Sequence, residues 1–163
     1  MIRAMTTDPR FDPEAVLPIL LRPGRGAYGL FVRDALTEQG FGDMPANGGY
    51  VLGLIETEGS QLSDVISNMG VSKQTASQLV DTLVLRGYLE RSVDPDDRRR
   101  MLLTLTARGA AASDVVYDTV KEIDARLVAV VGAEKMAHTK ETLAALVDLR
   151  HSQPHPHTHP HPD

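Results

Sequence analysis

The chain has 163 residues, with 17 basic and 22 acidic side chains and a formal net charge of −5. This length fits one globular domain with helical extensions and excludes a large multidomain enzyme. The sequence contains no cysteine, which excludes disulfide scaffolds, thiolate metal sites and thiol redox switches. It contains neither a secretory signal nor an apolar run of the roughly 20 residues that span a bilayer, so we expect a cytoplasmic protein without a membrane partner.

The distribution of charge matters more than its sum. Residues 72–108 carry seven basic and five acidic side chains, whereas residues 1–71 carry five and nine, and residues 109–163 carry five and eight. The negative total argues against a polyanion as partner, because binding to phosphates depends on positive charge. The middle segment is positive, and any phosphate-binding surface is expected there.

The N-terminal part of the chain predicts an arm followed by a helix. Residues 1–24 contain four prolines and are expected to form a weakly ordered arm. In residues 25–39 apolar side chains recur at spacings of three and four, which predicts an amphipathic helix that ends at Gly40. The apolar positions of this helix are Tyr28, Phe31, Val32, Ala35 and Leu36.

A second, buried helix is predicted to start at Pro45, because proline is tolerated in the first turn of a helix. Its apolar run at residues 50–55 is nearly continuous, which is typical of a helix enclosed on all sides. Glycines at 48, 49 and 53 weaken this helix but permit close packing.

The next two helices form a helix-turn-helix pattern. Ser60 is predicted to cap a helix of about two turns that stops at Gly70, and Ser72 to open a longer helix that ends at Gly87. One face of the longer helix is apolar, at Ala76, Leu79, Val80, Leu83 and Val84. A short helix, a glycine-containing turn and a longer helix with a polar exposed face indicate a helix-turn-helix.

Two short strands are predicted after this motif. Residues 88–93 and 101–105 are rich in Leu, Val and Thr, and the charged segment 94–100 joins them. This arrangement predicts a β-hairpin. The fold class is therefore mainly α with a small β-hairpin wing, a winged helix-turn-helix.

Two long helices are predicted to complete the chain. Thr106 is expected to cap the first, which contains Gly109 in its first turn, and Gly132 separates it from a second helix over residues 133–149. The apolar positions of the first helix step by 4, 3, 4 and 3 residues, as in a coiled-coil seam. They are Val116, Val120, Ile123, Leu127 and Val130. Because the preceding domain can close its own core, we expect these helices to form a dimer.

Two groups of side chains favour binding to double-stranded DNA. An α-helix fits the major groove, where short polar or basic side chains near its N-terminus contact base edges. The candidates are Ser72, Lys73, Gln74, Thr75, Ser77 and Gln78. In the hairpin, Arg98, Arg99 and Arg100 are candidates for the minor groove, which attracts guanidinium groups. We expect Asp97 to hold the guanidinium of Arg99 and aim it at that groove.

The sequence resembles the MarR family of winged helix-turn-helix regulators over about residues 25–150. The resemblance lies in VSKQT at 71–75, LVDTL at 79–83, RGYLER at 86–91, DPDDRR at 94–99 and LTLTARG at 103–109. It implies a homodimer on a pseudo-palindromic operator, repression of transcription, and release from DNA by a small-molecule effector. The thiol-based peroxide sensors of the family are excluded as models because the chain lacks cysteine.

Together, pattern and resemblance predict five segments. They are an arm at 1–24, a dimerisation helix at 25–44, a DNA-binding domain at 45–108, dimerisation helices at 109–150 and a disordered His/Pro-rich tail at 151–163. Three tyrosines, Tyr28, Tyr50 and Tyr117, are candidates for an effector pocket, although a buried tyrosine is more often part of a core.

Two alternative functions are open at this point. The winged helix could bind another protein through its hairpin and helical seam. The tail could bind metal through His155, His157, His159 and His161, although a proline-interleaved tail lacks the support that fixes metal ligands. No cofactor is expected, and no catalytic residue is assigned, because the sequence lacks a phosphate-binding glycine loop and the nucleophile and zinc-protease motifs.

Overall fold

The structure, a computed structural model, describes residues 17–55 and 59–151. The rest of the predicted N-terminal arm and the four tail histidines lie outside the described residues. Within the described part, six helices and three short strands follow one another. They are α1 (Leu17–Glu38), α2 (Gly48–Leu52), β1 (Ser60–Gln61), α3 (Leu62–Asn68), α4 (Lys73–Leu85), β2 (Leu89–Val93), β3 (Met101–Leu105), α5 (Ala107–Val131) and α6 (Ala133–His151).

The first helix begins earlier than the proline content indicated. Helix α1 starts at Leu17 and includes Pro23, so the expectation of an arm was wrong for residues 17–24. Proline within a helix removes one hydrogen-bond donor. The apolar face continues through this point, since Leu21 is half-buried and lies two helical turns before the half-buried Tyr28.

The second helix is shorter than predicted, with five residues. Asn47, the residue before it, adopts a left-handed backbone conformation (φ 63°), so the chain from Pro45 to Asn47 does not extend the helix. The expectation of close packing is confirmed at two glycines. A Cβ atom on Gly48 would lie 2.5 Å from Met44 Sδ, and one on Gly49 would lie 3.0 Å from Val116 Cγ2.

The sheet has a third strand that the sequence pattern did not reveal. Strand β1 pairs antiparallel with β3, with Ser60 opposite Leu103, and the strand order is β1-β3-β2. The prediction that Ser60 caps α3 was wrong, because Gln61 occupies the N-cap position without a side-chain cap. Gly59, directly before β1, has a φ of +98°, a backbone conformation that favours glycine.

The helix-turn-helix and the hairpin are confirmed. In the hairpin, Leu89 pairs with Leu105 and Val93 with Met101. The apolar face of α4 enters the core, where Ala76, Val80 and Leu83 are completely buried. The other core residues are Leu36, Val51, Leu52, Val65, Met69, Tyr88, Leu89, Leu103 and Ala112. This core fixes α4 against the sheet and leaves its polar face exposed.

Helix α5 begins as predicted. Thr106 Oγ1 accepts a hydrogen bond from the backbone N–H of Gly109 at 3.0 Å, which caps the helix. The chain divides into two compact units, one up to Lys121 and one from Glu122. In the second unit Lys140 Nζ lies 2.7 Å from Asp124 Oδ2, and apolar side chains remain exposed. These are Leu127, Val130, Leu146, Val147 and Leu149.

Candidate nucleic-acid interface

The N-terminus of α4 is capped by Ser72. Ser72 Oγ accepts a hydrogen bond from Thr75 N at 3.2 Å, and Ser72 O accepts one from Ala76 N at 2.9 Å. Ser72 therefore caps α4, as its position predicted. The first turn points unpaired backbone N–H groups outward, which is the arrangement that suits a phosphate oxygen.

The polar face of α4 is open to solvent. Five of the six candidate residues are exposed, and Ser77 is half-buried. The hydroxyls of Ser72 and Thr75 are hydrogen-bonded to each other at 2.8 Å. Within the described part of the chain, the side chains of Lys73, Gln74 and Gln78 take part in no hydrogen bond or ion pair. These three side chains are available for an external partner.

An ion pair connects this face of α4 to the wing. Asp81 Oδ1 lies 2.6 Å from Arg91 Nη2 on β2. Neither residue is among the candidates that the sequence pattern indicates. Their opposite charges are visible in the sequence, but their proximity depends on how β2 packs against α4.

The wing differs from its predicted geometry in the role of Asp97. Asp97 Oδ2 lies 3.1 Å from Arg100 Nε, and Asp97 Oδ1 accepts a hydrogen bond from the backbone N–H of Arg99 at 3.0 Å. The predicted pairing of Asp97 with the guanidinium of Arg99 was therefore wrong. The turn explains this, because Arg100 N donates to Asp97 O at 2.9 Å and thereby brings the side chains of these two residues together.

The remaining two arginines of the wing are unpaired. The side chains of Arg98 and Arg99 are exposed and form no ion pair with any residue in 17–55 or 59–151. On the preceding side of the turn, Asp94 Oδ1 accepts a hydrogen bond from Asp96 N at 2.9 Å. The tip of the hairpin thus presents two exposed guanidinium groups that form no ion pair within the described residues, which suits an anionic partner.

A polar cluster lies at the C-terminal end of α4, and we call Asp43, Arg86, Tyr88 and Arg108 the Asp43 cluster. Tyr88 is completely buried, and its hydroxyl donates a hydrogen bond to Asp43 Oδ1 at 2.5 Å. Arg108 Nη2 lies 2.7 Å from the same carboxylate oxygen, and the Arg108 guanidinium lies over the Tyr88 ring with Cζ 4.4 Å from the centroid. Arg86 donates a hydrogen bond to the backbone oxygen of Asp43.

The cluster shifts the acidity of two groups. The hydrogen bond from Tyr88 is the largest cause that holds the pKa of Asp43 below its ordinary value of 3.8. Burial, and then the hydrogen bond to Asp43, raise the pKa of Tyr88 from 10.0 to about 12. The sequence pattern does not indicate this cluster, since Arg108 lies 65 residues from Asp43.

Tyr88 is expected to make the protein less stable in alkaline solution. Between pH 10.0 and about 12 the unfolded state releases the Tyr88 proton while the folded state retains it, so the free energy of unfolding falls as the pH rises. Tyr88→Phe is expected to reduce this dependence. Urea unfolding of both proteins at about pH 9 and about pH 11 measures it, and an equal loss in the two proteins would contradict the expectation.

One comparison with known proteins matches the segment that runs from α2 through α4 and β2 to the turn of the hairpin. Residues 43–100 match the model of the MarR family. This segment is similar to the MarR family. Comparison with curated protein sequences gives no significant match.

Solved structures of MarR-family regulators share the fold. A MarR-family transcriptional regulator from Rhodococcus sp. RHA1 is 25% identical, covers 82% of this chain and 95% of its own, and has a TM-score of 0.66. MepR from S. aureus, solved in complex with DNA, is 21% identical with a TM-score of 0.67, over 83% of this chain and 98% of its own. Apo MarR from E. coli is 22% identical with a TM-score of 0.59, over 81% and 96%.

The three candidate effector tyrosines lie on three different helices, α1, α2 and α5. Tyr28 is half-buried on α1, whereas Tyr50 and Tyr117 are 46% and 63% exposed. Tyr50 donates a hydrogen bond to Asn68 O at 3.3 Å, and the Arg25 guanidinium lies 5.3 Å from the centre of its ring. An effector pocket at these residues stays a prediction.

In residues 17–55 and 59–151, no group of three His, Asp or Glu side chains is placed to hold a metal ion. No helix in those ranges has both the length and the apolarity needed to cross a membrane.

Proposed function

We propose that this protein is a DNA-binding transcriptional regulator of the MarR type that acts in the cytoplasm and has no enzymatic activity. The observation that carries this proposal is that one winged domain has two surfaces with exposed polar or charged side chains that form no ion pair within the described residues. The N-terminal half of α4 exposes Lys73, Gln74 and Gln78, and the wing exposes Arg98 and Arg99. Polar and amide side chains are suited to base edges in the major groove, and guanidinium groups are suited to phosphates or the minor groove.

The solved relative MepR supports this proposal, because its structure contains DNA and its fold covers 83% of this chain. The net charge of −5 does not oppose it. The guanidinium groups of Arg98 and Arg99 form no ion pair within the described residues, and DNA affinity depends on the local positive charges that reach phosphates.

We propose further that the chain binds a pseudo-palindromic operator as a homodimer. The exposed apolar side chains of α1, α5 and α6 support this part. They include Leu30 and Phe31 on α1, which are 53% and 50% exposed, and the group at the ends of α5 and α6 described above. A two-fold dimer would place two α4 helices in successive major grooves.

Repression of transcription and release by a small-molecule effector complete the proposal. Deleting the gene should raise transcription from promoters that contain the bound sequence. Selection of DNA from a random pool, repeated with candidate effectors present, tests sequence preference and release together. Absence of any selected sequence at low salt would contradict DNA-binding regulation as a whole.

The side chain of Gln74 is expected to determine part of the base preference. Glutamine can form two hydrogen bonds with adenine in the major groove, a contact that discriminates by about 1–3 kcal/mol. Gln74→Ala should therefore relax selection at one position of each half-site. Its affinity for mixed-sequence DNA should change little, because the substitution leaves the charges unchanged.

Gln39 provides the matched control for this experiment. It is exposed and follows α1, outside the MarR segment at residues 43–100. Gln39→Ala should select the same DNA as the wild type. If Gln74→Ala also selects the wild-type sequence unchanged, Gln74 does not contact bases.

A further inference from the structure

The Asp43 cluster joins three segments that are distant in sequence. Asp43 lies between α1 and α2, Arg86 and Tyr88 lie between α4 and β2, and Arg108 lies in the first turn of α5. Arg108 reaches both of the other segments, since its Nη1 donates to Arg86 O at 2.9 Å and its Nη2 donates to Asp43 Oδ1 at 2.7 Å. One side chain therefore fixes the end of α4 to the start of α5 and to the turn after α1.

The cluster holds its three segments in a specific arrangement but contributes little to the free energy of unfolding. The side chains of Asp43 and Arg108 are 44% and 40% exposed, and ion pairs at such positions contribute little to the free energy of unfolding. Their geometry is specific nonetheless. The guanidinium is held in its plane by the Tyr88 ring and at its edge by two acceptors, Asp43 Oδ1 and Arg86 O.

The cluster lies at the C-terminal end of α4, and the candidate interface lies at the N-terminal end of the same helix. Arg86 is the C-cap of α4, and its guanidinium donates to the backbone of Asp43. Helix α4 has 13 residues, which corresponds to a length of about 20 Å. A tilt of about 5° at its C-terminal end would move its N-terminus by about 2 Å, which is enough to break contacts with base edges.

We propose that the Asp43 cluster is a positioning device that sets the direction of α4 relative to α1 and α5. This inference rests on the proposed function, in which α1 and α5 belong to the dimer and α4 enters the major groove. By fixing α4 to those helices, the cluster fixes the separation of the two α4 helices in the dimer. It thereby determines which spacing between the two half-sites the protein accepts.

Changing the spacing of the half-sites tests this inference. The probes are the DNA selected by the wild-type protein, the same DNA with one base pair added or removed between its half-sites, and mixed-sequence DNA of equal length. Arg108→Met keeps the hydrocarbon stem over Tyr88 and removes the guanidinium. Asp43→Asn keeps an acceptor for the Tyr88 hydroxyl and removes the charge. Arg126→Met is the matched control, because it removes an arginine whose ion pair with Glu122 stays within α5.

We expect Arg108→Met to reduce the preference for the original spacing by about tenfold, with its affinity for mixed-sequence DNA within about twofold of the wild type. Asp43→Asn should lower the preference in the same direction, and Arg126→Met should leave it unchanged. The folded fraction of each variant is measured by circular dichroism at the temperature of the binding experiment.

Two results would overturn the inference in different ways. If Arg108→Met and Asp43→Asn only lower the unfolding temperature and keep the wild-type spacing preference, the cluster is structural and does not position α4. If the wild-type protein itself selects no DNA with two half-sites, the proposed dimeric function fails, and the inference fails with it.

Discussion

Gly109→Ala is expected to lower the free energy of unfolding by about 3 kcal/mol or more, one of the largest effects expected of a single methyl group. A Cβ atom at this position would overlap the carbonyl oxygen of Tyr88, and it would lie 2.9 Å from the Tyr88 carbonyl carbon. The opposing atoms belong to the backbone, so a change of side-chain rotamer cannot relieve the overlap.

Neither Tyr88 nor the start of α5 can move away from this contact without breaking hydrogen bonds. Tyr88 is completely buried, and its carbonyl oxygen accepts hydrogen bonds from Thr106 N at 3.1 Å and Thr106 Oγ1 at 3.2 Å. Thr106 Oγ1 also accepts the N–H of Gly109 in the α5 cap. Moving α5 away from Tyr88 would therefore break either the cap of α5 or the hydrogen bonds from Thr106 to Tyr88.

Gly26→Ala is the matched control for the substitution at Gly109. Gly26 lies within α1, and a Cβ atom there would meet nothing within 4 Å. Alanine at such a position should stabilise the helix by about 0.5–1 kcal/mol. Denaturant unfolding should show a higher free energy of unfolding for Gly26→Ala and a lower one for Gly109→Ala. A Gly109→Ala variant as stable as the wild type would contradict the close approach of α5 to Tyr88.

Local periodicity predicted those elements whose structure depends on neighbours in the sequence. The apolar positions of α4 are three and four residues apart, and Ala76, Val80 and Leu83 are buried accordingly. Ser72 and Thr106 cap helices because a cap needs only a hydroxyl and a backbone N–H three residues later.

Elements that depend on distant partners were missed or misplaced. Strand β1 has two residues, too few for any periodicity, and it exists because β3 supplies its partner. Helix α1 includes Pro23 because the apolar face continues past the missing donor. The Asp43 cluster joins residues up to 65 positions apart, so the sequence alone gave no reason to group them.

The wing shows the same limit over a shorter distance. The prediction that Asp97 holds the guanidinium of Arg99 followed from the proximity of these two residues in the sequence. The hydrogen bond from Arg100 N to Asp97 O closes the turn and brings their side chains together. The carboxylate therefore compensates Arg100, while Arg98 and Arg99 keep their charge for an external partner.

Arg99→Ala is consequently expected to weaken binding to every DNA sequence by about tenfold, because a charge-assisted contact contributes about 1.5 kcal/mol. The plot of log affinity against log salt concentration should become shallower by about 1, as expected when one phosphate contact is lost. Base preference should stay the same if Arg99 contacts only the backbone of DNA. Titration of mixed-sequence and selected DNA at several salt concentrations measures all three quantities.

The matched control removes the neighbouring ion pair without changing the net charge. The double variant Asp97→Asn with Arg100→Ala loses one negative and one positive group, and the asparagine oxygen can still accept the N–H of Arg99. Because Arg100 is compensated by Asp97 in the wild type, this variant should bind mixed-sequence DNA within about twofold of the wild type, with the same salt dependence. If the double variant weakens binding as much as Arg99→Ala does, Arg100 contacts DNA and Asp97 orients it. Equal affinities for Arg99→Ala and wild type would exclude Arg99 from the interface.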